Sequence, residues 1–224
     1  MLLRKPRPAK KRKTPGNSPG QMVVGLRNPG ADYEGTRHNL GYEVLAETLG
    51  RADLTLSRGP SRIGGMMAVS GVGAHRTLYL VSNGYMNESG RVVAAALAYY
   101  KVDPADMLVV HDDIDLPFGR LRLQVGGGSG GHNGVRSVER ALGSPEFSRL
   151  KLGVGRPPGS QDPADYVLRR FTKRERPEAD VMVQDAADVV ERWLDDRARA
   201  QEMAALRARD DERGRSDSGD GDDA

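Results

Sequence analysis

The chain has 224 residues, no cysteine and a formal charge of +3, which suits one domain with one core and excludes a disulfide framework or a thiolate metal site. No stretch approaches the roughly 20 apolar residues that span a bilayer, and no apolar run follows the basic N-terminus as a secretory signal requires. Residues 1–20 carry +7 and residues 216–224 carry −4, so the stretch between them is neutral and any nucleic acid must meet a local patch.

Residues 1–20, rich in Pro, Lys and Arg, are expected to be disordered. MVVGL at 22–26 reads as a buried strand closed by the turn Asn28-Pro29-Gly30. After Thr36 a helix is predicted, with Leu40, Val44, Leu45, Thr48 and Leu49 on one face and Gly50 at its end. Strands are predicted at 66–70 and 76–82. Ser89 is the expected N-cap of an alanine-rich helix over 90–100. MLVVHD at 107–112 is another buried strand. Residues 119–125 alternate Leu121, Leu123 and Val125 with Arg122 and Gln124, the pattern of a strand with one wet face. A short helix over 134–142, an alternating strand at 148–155 and one long helix over 175–209 complete a domain spanning 21–209. The acidic residues 210–224 are expected to be disordered. Strands and helices interleave, so the fold class is α/β: a single domain with a central twisted mixed β-sheet and helices on both faces. Ligands in such sheets bind near the carboxyl ends of strands, where Asn28, Asn83–Asn87, Asp112 and a glycine run could meet.

That glycine run, GGGSGGHNG at 126–134, invites several chemical readings. Gly127-Gly128-Ser129-Gly130-Gly131 fits a hydrolase nucleophile turn, yet no histidine follows His132 to complete the Ser–acid–His order. It lacks the lysine of a Walker loop, and it lies too far along the chain for a dinucleotide fingerprint. Structured neighbours on both sides argue against a linker. Around it, residues 116–156 are net +5, from Arg120, Arg122, Arg136, Arg140, Arg149, Lys151 and Arg156 against Glu139 and Glu146. Such a cluster favours anions. Of the four histidines, His75 reads as exposed, His111 as a satisfied packing residue, and His132 as packing or ligand contact. His38 opens a helix among polar amides. An imidazole near its free pKa is a good base at neutral pH when a carboxylate orients it. Asp112, Asp113 and Asp115 are at hand. No second cluster of hard ligands accompanies them, so no metal is expected.

Four motifs in order carry a resemblance: GLRNPGADYEGTRHNLGYEVL at 25–45, YMNESG at 85–90, HDDIDLPFGRLRL at 111–123, and GGGSGGHNGVRS at 126–137 followed by FSRLKLGVGRP. Jointly they resemble the bacterial-type peptidyl-tRNA hydrolase family over roughly 22–205. The resemblance implies an enzyme that cleaves the ester between a peptide and the tRNA 3′-terminal ribose and so recycles tRNA after premature ribosomal drop-off. It implies His38 as the base, Asp112 as its support, and Asn28, Asn87 and Asn133 as substrate-contacting amides, with Tyr33, Tyr85, Met86 and His132 lining the crevice. Side-chain amides both donate to and accept from a peptide backbone without reading its side chains, and Asn28 is a candidate for stabilising the oxyanion. The family's paired cations for a tRNA phosphate fall on Gln124 and Lys151. Lys151 keeps the charge; Gln124 does not, and Arg122 or Arg120 is the candidate substitute. Asn83-Gly84 also departs from the family, where a proline and a threonine are usual. The expected partner is peptidyl-tRNA, with no cofactor, no DNA and no membrane. A monomer in the cytoplasm is expected. The alternatives from other classes are an RNA-binding relative without hydrolase activity and a nucleotide-binding domain using the glycine run.

Overall fold

The computed structural model describes residues 18–72 and 75–216, with side chains described up to residue 206. Seven strands form one sheet in the order β2-β3-β4-β1-β5-β7-β6. They are β1 (Gln21–Gly25), β2 (Ser57–Arg58), β3 (Gly65–Ser70), β4 (Thr77–Ser82), β5 (Met107–Asp113), β6 (Leu121–Val125) and β7 (Ser148–Gly153). The central strands β4, β1, β5 and β7 are mutually parallel, and β3 and β6 join them antiparallel on either side. The expected mixed α/β architecture is therefore present. The parallel core explains the composition of β5, whose every residue is buried: a strand covered on both faces has no polar period.

One face carries α1 (Leu40–Arg51), α5 (Arg176–Asp195) and α6 (Arg197–Ser216). Leu108 and Val110 from β5 and Leu150 and Leu152 from β7 pack there with Leu45, Val190 and Trp193. The other face carries α2 (Ser89–Tyr100) and α3 (Asn133–Leu142), with Met107 and Val109 from β5 packed on Val92, Val135 and Phe147. A short α4 (Pro163–Val167) precedes α5. Glycine sets one contact directly: a Cβ on Gly41 would lie 2.1 Å from the Val110 carbonyl, so α1 rests backbone-to-backbone on β5.

Four expectations change. The helix read over 175–209 is two helices meeting at Asp196, which leaves helical geometry at φ −147° and ψ 100°. Its carboxylate accepts from Ala198 N–H at 3.1 Å and Arg199 N–H at 3.2 Å, so it caps α6 while ending α5. The α6 helix runs to Ser216, past the boundary placed at 209. The expected tails 1–20 and 210–224 otherwise fall outside the described residues except for 18–20. Ser89 is the first residue of α2 rather than its N-cap, and its hydroxyl is buried without a partner. Glu88 holds that corner instead, accepting from Tyr85 N–H at 3.1 Å. Val125 is 68% exposed, because β6 is an edge strand and this residue lies at its end.

The glycine run also departs from the tight turn suggested by its composition. It leaves β6 at Val125, opposite Ser148. It ends at His132, which meets Asp112, opposite Leu152. Four residues of strand lie between those levels, about 13 Å. Residues 126–131 thus form a strap that climbs from the level where β7 begins to the carboxyl end of β5. Gly126, Gly127, Gly130 and Gly131 have φ between 56° and 90°, a region closed to most side chains.

Candidate active site

The parallel core brings the carboxyl ends of β1, β4 and β5 to one edge, and the polar residues found there face one another. His38 lies in a 3₁₀ turn, Arg37–Asn39, that feeds α1. With α1 seated on β5, His38 Nδ1 stands 3.0 and 3.2 Å from the two carboxylate oxygens of Asp112. Both residues are buried, at 7% and 2% exposure. An ionised carboxylate only accepts, so Nδ1 carries the proton and Nε2 keeps its lone pair. Burial lowers the pKa of His38, but the charge and hydrogen bond of Asp112 outweigh it, and the net shift is upward. Burial raises the Asp112 pKa in turn, while the facing imidazoles pull it well below the usual carboxylate range.

His132 holds the same carboxylate from the other side, with Nε2 2.9 Å from Asp112 Oδ1. Its Nδ1 accepts from Gly134 N–H at 3.1 Å and Val135 N–H at 3.3 Å, making it the N-cap of α3. Those bonds fix its tautomer: Nδ1 bare, Nε2 protonated. Burial leads in lowering its pKa, with His38 adding to the effect against Asp112. A residue expected along the crevice is thus a neutral clamp on Asp112. His111 packs edge-on against it at 4.9 Å between ring centroids. His111 Nδ1 donates to the Asp112 carbonyl at 2.7 Å. Its Nε2, however, is buried without a partner, so it is only half satisfied. Burial leads in pushing its pKa down to about 3.

His38, Asp112 and His132 bring three ligand atoms within 4.8 Å of one another, close enough to suggest a metal site. The donor chemistry does not fit one. His132 Nε2 could ligate only by losing its proton, and moving that proton to Nδ1 would orphan two backbone N–H groups of α3.

Asn28 follows β1. Its Oδ1 accepts from Met86 N–H at 2.8 Å, which turns its Nδ2 outward as a donor. Its backbone is clamped by Asn39: Asn28 N–H donates to Asn39 Oδ1 at 2.8 Å, and Asn39 Nδ2 donates to the Asn28 carbonyl at 3.0 Å. Sequence reading missed Asn39, although it adjoins His38. It also missed Arg37, whose buried guanidinium binds the carbonyls of Arg169 and Arg170 and the Glu175 carboxylate and stacks on Tyr166 and Phe171. Arg37 thereby ties the chain beside His38 to the segment leading into α5.

Among the other expected site residues, both exposed, Asn87 lies in the 3₁₀ turn Met86–Glu88 that leads into α2 and Asn133 is the first residue of α3. These helices are linked where Ser137 Oγ donates to the Asn87 carbonyl at 2.7 Å. Tyr33 and Tyr85 meet edge to face at 6.2 Å. Met86 is 3% exposed and packs in the core, so its backbone N–H, bonded to Asn28, is its link to the site.

The basic patch is thinner than its sequence count. Lys151 is 12% exposed and sits 2.9 Å from Asp113 Oδ2. Arg149 pairs with Glu139, and Arg156 with Asp115. Asp113 and Asp115 lie just outside the 116–156 window, so the count missed them. Gln124 folds back, Nε2 donating to the Gly126 carbonyl at 3.0 Å. Arg122, the cross-strand neighbour of Lys151, is exposed, as are Arg136 and Arg140 on α3.

An imidazole paired with a buried carboxylate beside an asparagine amide, at the ends of parallel strands, forms the candidate site of this α/β protein. The family model described as peptidyl-tRNA hydrolase matches residues 22–213. A peptidyl-tRNA hydrolase of Mycobacterium marinum is 49% identical over 174 residues, covering 76% of this chain and 88% of the relative. One of Mycobacterium tuberculosis strain H37Rv is 49% identical over 171 residues with the same coverage. The crystal structure of peptidyl-tRNA hydrolase from Acinetobacter baumannii superposes with a TM-score of 0.76 at 30% identity, covering 82% of this chain and 93% of that one. The chain belongs to the peptidyl-tRNA hydrolase family.

Proposed function

We propose that this protein hydrolyses the ester joining a peptide to the 3′-terminal ribose of tRNA, returning tRNA to use after premature release from the ribosome. The observation that carries the chemistry is the His38–Asp112 pair, in which the carboxylate takes Nδ1 and leaves Nε2 as the base. In the reaction, Nε2 takes a proton from water as the water oxygen attacks the ester carbonyl. Asp112 holds the imidazolium that forms. The carbonyl oxygen, now an oxyanion, accepts from Asn28 Nδ2, a kind of contact worth about 10²–10³ in rate. Collapse of the tetrahedral species breaks the bond to the ribose oxygen, which leaves with the proton from His38. Asn87 and Asn133 grip backbone amides of the peptide, with Tyr33 and Tyr85 beside them. This suits a substrate of arbitrary sequence and a requirement for an attached peptide.

On the tRNA side, Arg122 takes the phosphate-holding role, because Lys151 is paired with Asp113 and Gln124 is uncharged and bonded to its own loop. No helix among the described residues is long and apolar enough to cross a membrane. Action as a monomer in the cytoplasm, with no DNA and no cofactor, completes the proposal. A purely RNA-binding role would leave the poised base without a use. The deciding experiment is single-turnover release of labelled peptide from peptidyl-tRNA. Release that is no faster than that of His38→Ala would overturn the proposal.

A further inference from the structure

The sheet face beneath the glycine strap holds a buried cation that the reaction above does not use. Arg149, in β7, is 0% exposed. Its Nη1 donates to the Gly128 carbonyl at 3.0 Å, and its Nη2 donates to Glu139 Oε1 at 2.8 Å and to the Pro145 carbonyl at 3.2 Å. The guanidinium lies over Phe147 at 4.5 Å. These acceptors belong to three segments: the strap, α3, and the loop joining α3 to β7.

Burying a guanidinium is costly, and apolar side chains of similar volume often fill such a space as well or better. Packing alone therefore does not call for arginine. What the planar fork adds is several donors fixed in one geometry, including one aimed at the strap. The strap needs it. From Gly126 to Gly131 only Ser129 has a side chain, so hydrophobic packing does little to fix the path. Its lower end is held by Gly126 N–H to the Phe147 carbonyl at 3.1 Å. Its upper end is His132 on Asp112. Arg149 takes the middle. The same guanidinium reaches α3 through Glu139, six residues past Asn133.

We propose that Arg149 is a positioning residue, pinning strap and α3 as one body so that His132 meets Asp112 and Asn133 faces the substrate. It acts through Gly128 and touches no substrate. The activity arm of its test rests on the hydrolase reading; the exchange arm does not.

The test uses the full chain carrying Arg149→Met with Glu139→Leu, which replaces the buried ion pair by apolar groups. The expected result is a folded protein whose kcat/KM for peptidyl-tRNA falls at least tenfold. Backbone amides of 127–133 should exchange at least tenfold faster, with β5 and α2 unchanged. Arg149→Lys, which keeps a charge for Glu139 but lacks the fork, should show the same pattern at smaller size. If the double variant fails to fold, Arg149→Lys decides by the same two readings. Parent-like kcat/KM and strap exchange in a folded variant overturn the proposal. So does lost activity with unchanged strap exchange, because Arg149 then acts by another route. If the parent protein itself releases no peptide, the hydrolase reading falls while the exchange arm still judges Arg149.

Discussion

His38 and His132 hydrogen-bond the same oxygen of Asp112, at 3.0 and 2.9 Å, and both are buried. They differ in the second ring nitrogen. His38 keeps Nε2 bare, because its Nδ1 takes the carboxylate. His132 spends Nδ1 on two backbone N–H groups of α3. One ring can therefore take a proton and the other must not. The pKa directions follow, upward for His38 and downward for His132. The contrast teaches that a histidine's role is read from the partner of its far nitrogen, not from the carboxylate it shares.

The sharpest way to break the symmetry is His38→Ala, which should lower kcat by about 10²–10⁴, the usual worth of a general base, with KM little changed. A residual rate near the parent's would remove His38 from the reaction. His132→Asn comes next. Asparagine is itself a good N-cap, so α3 stays capped while Asp112 loses a donor. A fall in kcat on the order of tenfold is expected, together with a Tm lowered by roughly 2–10 °C because a buried carboxylate loses a donor. Asp112, no longer shared, should raise the His38 pKa further and shift the acid limb of kcat/KM to higher pH. With His38 as the base, the parent's acid limb is expected above the free imidazole value, the rate rising with pH through it as the imidazole becomes neutral.

Stability should respond to acid through the neutral histidines. His111 has a folded pKa pushed down to about 3, against 6.5 for the unfolded chain. Between those values the unfolded state binds the extra proton, so stability is full above 6.5 and is lost as pH falls toward 3. The loss should amount to a few kcal/mol by urea melts at pH 7, 5.5 and 4.5. Asp112 works in a different window: its folded pKa is depressed, so its share is lost only below the ordinary carboxylate value of 3.8. His111→Gln should flatten the curve between pH 6.5 and 4.5. An unchanged slope in that variant would assign the acid sensitivity to other groups. The smallest effect concerns the phosphate side. Arg122→Ala should raise KM several-fold and reduce the salt slope of log kcat/KM by about one, whereas Lys151→Ala should change that slope less. The reverse ranking would return the phosphate to Lys151.

Much of this arrangement was legible in the residues. Apolar runs such as MLVVHD marked buried strands because a parallel core has no wet face. The family resemblance of the motifs implied the pairing of His38 with Asp112, where the residues alone left Asp113 and Asp115 open, and the two lie in hydrogen-bond contact. What stayed hidden were relations that no local pattern encodes. The break at Asp196 interrupts an otherwise helical composition with one side chain acting as both stop and cap. The strap looked like a tight turn because glycine content reports freedom of φ, not direction of travel. Lys151 looked like a free cation because its neutralising acid lies on the neighbouring strand, 38 positions earlier in sequence. Asn39 gave no sign beyond its place next to His38, since its role is to hold another residue's backbone.

The seat of α1 on β5 has one more consequence. Gly41 meets the Val110 carbonyl, and a Cβ on the facing Gly25 would lie 2.6 Å from the Gly41 carbonyl. The gap between α1, which the His38 turn feeds, and the strand carrying Asp112 is thus set by main-chain atoms in close contact. A side chain added at either glycine would push α1 off the sheet and carry His38 away from Asp112.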